Sequence, residues 1–119
     1  MTNLFVYGTL KRGCKNHLHL AGQTFIGNVR SIAGYRLYDL GDYPGMVPDP
    51  IDTAGVTGEV WSVDDAVLAY LDEFEGVAEG LYRRERIRLL PPFDQIEAHT
   101  YLYNRDPGTR LLGPTWTER

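Results

Sequence analysis

Residues 55–76 read GVTGEVWSVDDAVLAYLDEFEG, and within this stretch the hydrophobic pattern changes from a strand period to a helix period. Positions 55–63 alternate between apolar and polar residues, which predicts a half-buried strand. Residues 64–75 then predict one short helix, with Asp64 or Ser62 as its N-cap and Gly76 just past its end. A strand that leads directly into a helix is the local unit around which we expect the fold to form.

The predicted helix has an apolar stripe at i, i+3, i+4 and i+7 spacing. Its members are Val67, Leu68, Tyr70, Leu71 and Phe74. Glu75 follows Leu71 by four residues and Leu68 by seven, so it is expected to project from the edge of this stripe. Asp72 and Glu73 lie further round the helix, where water can solvate them.

Glu75 is therefore the candidate for unusual acid–base behaviour. A carboxyl held against apolar neighbours has its neutral form favoured and its pKa raised, which suits proton transfer near neutral pH. The alternative is that the helix frays at Gly76 and Glu75 extends into water.

The flanking sequence predicts many short strands joined by turns, because it holds 13 glycines, 7 prolines and 8 tyrosines. The expected strands cover 3–7, 23–29, 35–40, 55–63, 81–90 and a returning segment at 96–102, after a turn at 91–94. About six to seven strands and one main helix predict an α+β fold, with a small mixed barrel or strongly curved sheet closed by the helix. Residues 104–119 are expected to form an irregular arm.

Composition narrows the class of protein. A chain of 119 residues fits a single domain spanning 1–119, and its net charge of −4 argues against a nucleic-acid partner. No apolar run approaches the ~20 residues of a membrane span, and no secretory signal is visible. The lone Cys14 cannot form an internal disulfide, so a cytoplasmic location is expected. We expect no membrane partner, and a monomer or weak homodimer.

The segment Phe5-Val-Tyr7-Gly8-Thr9-Leu10-Lys11 is the second informative one. A strand that ends in Gly-Thr places successive backbone N–H groups at a bend, where glycine lets a ligand approach closely. Such a bend binds carboxylate or phosphate oxygens, and the Thr9 hydroxyl adds a donor. The alternative is a simple tight turn.

Together these segments resemble the γ-glutamylcyclotransferase-like family, which includes γ-glutamylamine cyclotransferases and avirulence-induced-gene-type proteins. The resemblance covers nearly the whole chain and follows the order of the motifs. They are YGTLK (7–11), YPGMV (43–47), GEVW (58–61), LDEFEG (71–76), YRR (82–84) and YLY (101–103).

The resemblance implies a small barrel-like α+β fold with a cavity, a backbone loop at its mouth and one catalytic glutamate, which is Glu75 by motif position. It also implies the residues that contact the substrate. These are Tyr7, Gly8, Thr9, Leu10, Tyr43, Pro44, Gly45 and Tyr82. For Tyr82 two roles stay open, a cavity wall with its hydroxyl near Glu75 or core packing with an incidental hydroxyl.

The activity that the resemblance implies is a cofactor-independent cyclisation of a small γ-glutamyl substrate. The free α-amine attacks its own γ-carbonyl, and 5-oxoproline and an amine or amino acid are released. One carboxyl can serve first as base and then as acid. The alternatives are acyl transfer or amide hydrolysis at the same site, and a non-catalytic module that binds a small anionic metabolite.

Other residues that could bind a metal, act as a nucleophile or bind nucleic acid are expected to have simpler roles. His17 and His19 would share a face of an extended segment, but they lack further ligands at a suitable spacing, so we expect no metal. Cys14 has no histidine base predicted beside it and is expected to be a bystander thiol. The basic stretch 83–88 is expected to be a solvated barrel face.

Overall fold

The computed structural model describes residues 1–118 and contains seven strands, one α-helix and one short 3₁₀ turn in that range. The strands are β1 (Thr2–Val6), β2 (Thr24–Arg30), β3 (Tyr35–Asp39), β4 (Pro44–Pro48), β5 (Thr57–Val63), β6 (Tyr82–Ile87) and β7 (Ala98–Tyr103). The helix α1 covers Asp65–Phe74, and the 3₁₀ turn covers His17–Leu20. The predicted α+β class, with one main helix, is confirmed.

Five strands form a curved sheet in the order β2-β5-β1-β7-β6, and β3 and β4 form a separate two-stranded sheet. All pairs are antiparallel except β1 with β7. Beyond the ends of the two edge strands, Ser31 and Leu89 form a bridge. There the Leu90 N–H donates to the Arg30 carbonyl at 2.9 Å. This bridge closes the curved sheet into a barrel at one end.

The central strand β1 sends alternate side chains into two apolar clusters, as a strand period of two requires. Phe5 belongs to the cluster that also holds Leu37, Met46 and Val60. Leu4 and Val6 belong to the other cluster, which includes Trp61, Tyr82 and Tyr101. Helix α1 packs on this second cluster through Leu71, its fully buried side chain.

The helix begins and ends where its capping residues predict. The Asp64 carboxylate accepts a hydrogen bond from the Val67 N–H at 2.8 Å. At the other end Gly76 has φ +67°, and the Val77 N–H donates to the Asp72 carbonyl at 3.0 Å. This is a Schellman arrangement, which glycine favours because a side chain strains that backbone conformation. The Glu75 N–H still donates to the Leu71 carbonyl at 2.8 Å, so the helix does not fray before Glu75.

Two expectations about side-chain exposure on this helix were wrong. Tyr70 and Phe74 were predicted to be buried, but they are 47% and 42% exposed. Asp72 was expected to be solvated, but it is half-buried and paired with Arg84. Tyr82, for which a cavity wall and core packing were both open, is buried in the second cluster. The period of a helix shows which residues share a face but not what packs on that face.

Most strand boundaries differ from the expectation by one or two residues, and two differences are larger. Strand β6 ends at Ile87 rather than at residue 90, and β4 was not predicted from its residues because it begins and ends with proline. Proline is tolerated in β4 because its only partner is β3.

The arm after residue 103 is irregular, as predicted, but it is packed on the barrel. The Pro114 carbonyl accepts from the Thr57 N–H at 2.8 Å, and Trp116 is buried in the first cluster. No helix within residues 1–118 is long and apolar enough to cross a membrane.

Candidate active site

A cavity of about 180 Å³ opens between the end of β1, the end of α1 and the starts of β4 and β6. It brings together most of the residues singled out from the sequence. These are Tyr7, Gly8, Thr9, Leu10, Tyr43, Pro44, Glu75 and Tyr82. Six further residues that were not predicted also line it: Phe5, Val6, Asn16, Phe74, Leu81 and Tyr101.

Glu75 supplies the carboxyl group of this cavity. As C-cap residue of α1 it is fixed by the Schellman arrangement that follows it. Its carboxyl has no hydrogen-bond or ion-pair partner among the described residues, and burial raises its pKa from 4.5 to about 7. A carboxyl with this pKa exchanges protons readily at neutral pH in both directions.

Residues 8–10 form a turn whose N–H groups are left open. The Gly8 carbonyl accepts from the Lys11 N–H at 3.1 Å, and the Thr9 carbonyl accepts from the Asn16 N–H at 3.0 Å. The N–H groups of Gly8, Thr9 and Leu10 have no acceptor among residues 1–118. The Thr9 hydroxyl accepts from Asn16 Nδ2 at 2.9 Å, which leaves its own proton available. We call residues 8–10 the anion loop, because its free donors suit an anionic group.

Glycine at position 8 permits a close contact between the anion loop and β4. A Cβ at Gly8 would lie 2.8 Å from Cγ of Pro44, so a side chain there would push the loop away from this proline. Gly45 was predicted to contact substrate but does not line the cavity. A Cβ at Gly45 would meet Leu40 and Tyr103 at 2.8 and 2.9 Å, so this glycine allows close packing behind β4.

Two buried tyrosines form the cavity wall. The Tyr7 hydroxyl donates to the Tyr101 carbonyl at 2.6 Å and accepts from the Met46 N–H at 3.3 Å. The Tyr82 hydroxyl donates to the Pro44 carbonyl at 2.8 Å. Burial raises the pKa of both phenols well above the ordinary value, so both stay neutral. Both phenol protons are donated to backbone carbonyls. Of the two tyrosines and Glu75, Glu75 is therefore the group that titrates near neutral pH.

Glu59 lies behind the anion loop and was not singled out from the sequence. It is only 7% exposed, and it accepts from the Arg12 N–H at 3.1 Å and from Trp61 Nε1 at 3.0 Å. Arg12 Nε also donates to it at 3.2 Å. The sequence does contain a signal for a buried carboxylate here, because Glu59 lies on the same strand face as the apolar residues Trp61 and Val63.

A second polar network ties the helix that carries Glu75 to the barrel. The Tyr101 hydroxyl donates to Asp72 at 2.6 Å, and Arg84 donates to both Asp72 oxygens at 2.9 and 3.2 Å. Arg84 Nη1 also lies 3.0 Å from His99 Nδ1. Because Tyr101 also lines the cavity, this network fixes one wall relative to α1.

The two histidines considered as metal ligands have separate roles. His17 Nδ1 lies 2.9 Å from the Leu10 carbonyl, and His19 Nδ1 lies 2.8 Å from the Tyr70 hydroxyl. In the part of the chain that the structure describes, no three His, Cys, Asp or Glu residues lie close enough to share a metal ion.

Comparisons with known proteins agree with one another. Residues 4–118 match the family model described as gamma-glutamyl cyclotransferase, AIG2-like. A protein from Niallia circulans named gamma-L-glutamyl-butirosin B gamma-glutamyl cyclotransferase is 36% identical, over 99% of this chain and 77% of its own length. The gamma-glutamylaminecyclotransferase of Rattus norvegicus is 31% identical, over 98% and 83%.

Solved structures give the same result. The crystal structure of an AIG2-like protein from Mus musculus superposes with a TM-score of 0.76 at 30% identity, covering 90% of this chain and 80% of that one. With its family match, its curated relatives and its fold, this chain belongs to the AIG2-like gamma-glutamyl cyclotransferase family and is an enzyme of that type.

Proposed function

We propose that this enzyme cyclises a γ-glutamyl amine to 5-oxoproline and the free amine, with Glu75 as the single general base and general acid. One observation carries the proposal. Glu75 has a pKa of about 7 and lines the same cavity as the anion loop, whose N–H groups have no acceptor among residues 1–118.

The reaction needs only one carboxyl group. Glu75 removes a proton from the substrate α-ammonium, and the free amine attacks the γ-carbonyl carbon, so that a C–N bond closes a five-membered ring. As the C–N bond to the leaving nitrogen breaks, that nitrogen takes the first proton from Glu75. Glu75 then removes the second proton from the ring nitrogen, which becomes the neutral amide nitrogen of 5-oxoproline, and this proton leaves with the released amine as ammonium. Because the attack is intramolecular, orientation supplies much of the acceleration, and proton transfer adds about 10²–10⁴-fold.

The anion loop is proposed to hold the α-carboxylate of the glutamyl group. Among residues 1–118 no lysine or arginine lines the cavity, so backbone N–H groups and the Thr9 hydroxyl are the donors available for a carboxylate there. With the carboxylate fixed at the loop, the flexible glutamyl chain is folded toward Glu75. The enzyme thereby selects substrates with a free α-carboxylate.

The same lack of cationic side chains bears on the leaving group. A leaving amino acid would bring a second carboxylate, and the lining residues that the structure describes offer it no positive charge. The names of two relatives specify gamma-L-glutamyl-butirosin B and a gamma-glutamylamine as substrates. We therefore favour an amine without a carboxylate as the leaving group.

Product analysis tests this proposal. The purified protein is incubated with γ-glutamyl amines, γ-glutamyl amino acids and glutathione, and 5-oxoproline and glutamate are measured separately. Release of 5-oxoproline, fastest from the amines, is expected. Glutamate in place of 5-oxoproline would indicate hydrolysis, transfer of the γ-glutamyl group to an added amine would indicate acyl transfer, and binding without turnover would indicate a metabolite-binding module.

A further inference from the structure

Three aromatic side chains outside the catalytic machinery meet at the surface beside the cavity. The Tyr70 and Phe74 rings are nearly parallel, with an interplanar angle of 17° and centroids 6.4 Å apart. His19 contacts both, with its ring centroid 4.4 Å from that of Phe74 and 5.3 Å from that of Tyr70. We call these residues the aromatic rim. Leu18, the residue before His19 in the chain, is also exposed.

The aromatic rim is open to solvent, although its residues have apolar faces that could be buried. Phe74 and Tyr70 are 42% and 47% exposed, and both occupy helix positions that match the apolar period. Exposed apolar groups that cluster together are typical of a binding surface, whereas single ones are not. Phe74 also lines the cavity, so the rim continues directly from the site.

The chemistry of the site fixes which part of a substrate reaches this surface. Glu75 has to protonate the leaving nitrogen, and Phe74 is the residue immediately before it in the chain. The glutamyl carbons are held between the anion loop and Glu75, so the substituent on the leaving nitrogen must extend outward. Phe74 lines the cavity and is also 42% exposed, so its ring is within reach of a substituent that leaves the cavity.

We propose that the aromatic rim of His19, Tyr70 and Phe74 is the subsite for the leaving amine, and that it selects a planar apolar substituent on that amine. The inference rests on the proposed function, because that reaction determines which end of the substrate faces outward. Aromatic faces stack on planar groups more favourably than on saturated groups of similar size.

Binding measured without turnover tests the subsite. Calorimetry on Glu75→Gln compares γ-glutamyl benzylamide, γ-glutamyl cyclohexylmethylamide and γ-glutamyl methylamide. We expect the benzylamide to bind about tenfold or more tightly than the methylamide, and more tightly than the cyclohexylmethyl compound. Adding Phe74→Leu, which keeps an apolar side chain, should bring the benzyl-to-methyl ratio close to one, and Phe74→Ala should do the same.

The matched control is Ile51→Ala, which removes an exposed apolar side chain from a loop outside the cavity lining and should keep the ratio. An unchanged ratio in both Phe74 variants would overturn the subsite, and so would failure of all three compounds to bind. Equal affinity for the benzyl and cyclohexylmethyl compounds would overturn the selection of planar groups. Failure of the proposed function is distinguishable, because the wild-type protein would then release no 5-oxoproline while the affinity ratio still depended on Phe74.

Discussion

The Glu75 side chain is buried and has no hydrogen-bond or ion-pair partner among the described residues. Its replacement by glutamine tests the role of proton transfer while the size of the side chain stays the same. Glu75→Gln keeps the size of the side chain but cannot accept and return a proton at neutral pH. We expect kcat for 5-oxoproline release to fall by about 10²–10⁴-fold, with a smaller change in KM. Steady-state kinetics on a γ-glutamyl amine measures both.

Glu73→Gln is the matched control, because Glu73 is exposed on the same helix and does not line the cavity. It should leave kcat and KM close to the wild-type values. Equal damage from the two substitutions would contradict the assignment of Glu75 as the acid–base group.

The raised pKa of Glu75 also predicts how stability depends on pH. Because the folded pKa lies above the ordinary value, the folded state binds this proton more tightly, and ionisation opposes folding. The stabilising contribution is complete below about pH 4.5 and is lost as pH rises to about 7. Glu75→Gln should therefore gain up to about 3 kcal/mol of unfolding free energy at pH 8 and almost nothing at pH 4. Denaturant unfolding at both pH values measures the difference, and an equal gain at both would contradict it.

At the scale of single elements, the anion loop depends on its contact with β4. Gly8→Val places a branched side chain against Pro44 and should displace the N–H donors, because a Cβ there already lies 2.8 Å from Pro44 Cγ. We expect KM for the γ-glutamyl amine to rise by about tenfold or more, as hydrogen bonds to a charged group are lost. Gly113→Val is the control, since a Cβ at Gly113 meets no atom within 4 Å.

The chain that follows the anion loop is held by Glu59, which accepts from the Arg12 N–H. Glu59→Gln keeps the size but removes the charge that pairs with Arg12, so the loop should shift while Glu75 stays in place. We expect a larger change in KM than in kcat. The loss of reaction rate should therefore become smaller at higher substrate concentration. Glu97→Gln removes a partner from the exposed Arg86–Glu97 ion pair and should change neither constant. A fall in kcat alone for Glu59→Gln would contradict a positioning role.

The sequence predicts local features of these elements well, because local interactions determine them. The cap at Asp64 and the turn at Gly76 need only neighbouring residues, and both are where the sequence predicts them. The exposure of Tyr70 and Phe74 depends on which surface faces the helix, and only the assembled fold decides that.

In the candidate site, too, some features depend on neighbouring residues in the chain and others depend on the assembled fold. Glu75 and the anion loop are visible in the sequence because each lies where an element stops. The Glu59–Arg12 pair and the Asp72–Arg84 pair join residues far apart in the chain, so no short pattern reveals them. Gly45 is part of a recognisable motif, yet its close approach to Leu40 and Tyr103 indicates a packing role that the motif does not distinguish from substrate contact.

At the scale of the whole molecule, the C-terminal arm completes the core beside the anion loop. Trp116 is buried, and its carbonyl accepts from Lys11 Nζ at 2.7 Å. Trp116→Ala should therefore lower the unfolding free energy by about 3–5 kcal/mol, the range for truncating a large core side chain. Leu111→Ala, in the same arm but half-exposed, should cost far less. Urea unfolding of both variants compares the two positions.

A second whole-molecule prediction is metal independence. Since His17 and His19 bond to Leu10 and Tyr70 rather than converging, exhaustive chelation should leave both 5-oxoproline release and thermal stability unchanged. Activity that is lost to a chelator and restored by one divalent ion would contradict the single-carboxyl mechanism.

The central position of β1 has a consequence for how the chain folds during synthesis. Leu4 pairs with Trp61 on one side and with His99 on the other, so β1 leaves the ribosome well before either of its partner strands. At about 5–20 residues per second, the interval between Leu4 and His99 lasts roughly 5–20 s. During that time the nascent strand exposes unpaired backbone and apolar side chains, and the anion loop that follows it has no barrel to hold it. Ligand can assist folding only after β7 has emerged, so ribosome-bound chains truncated before Ala98 should remain sensitive to protease.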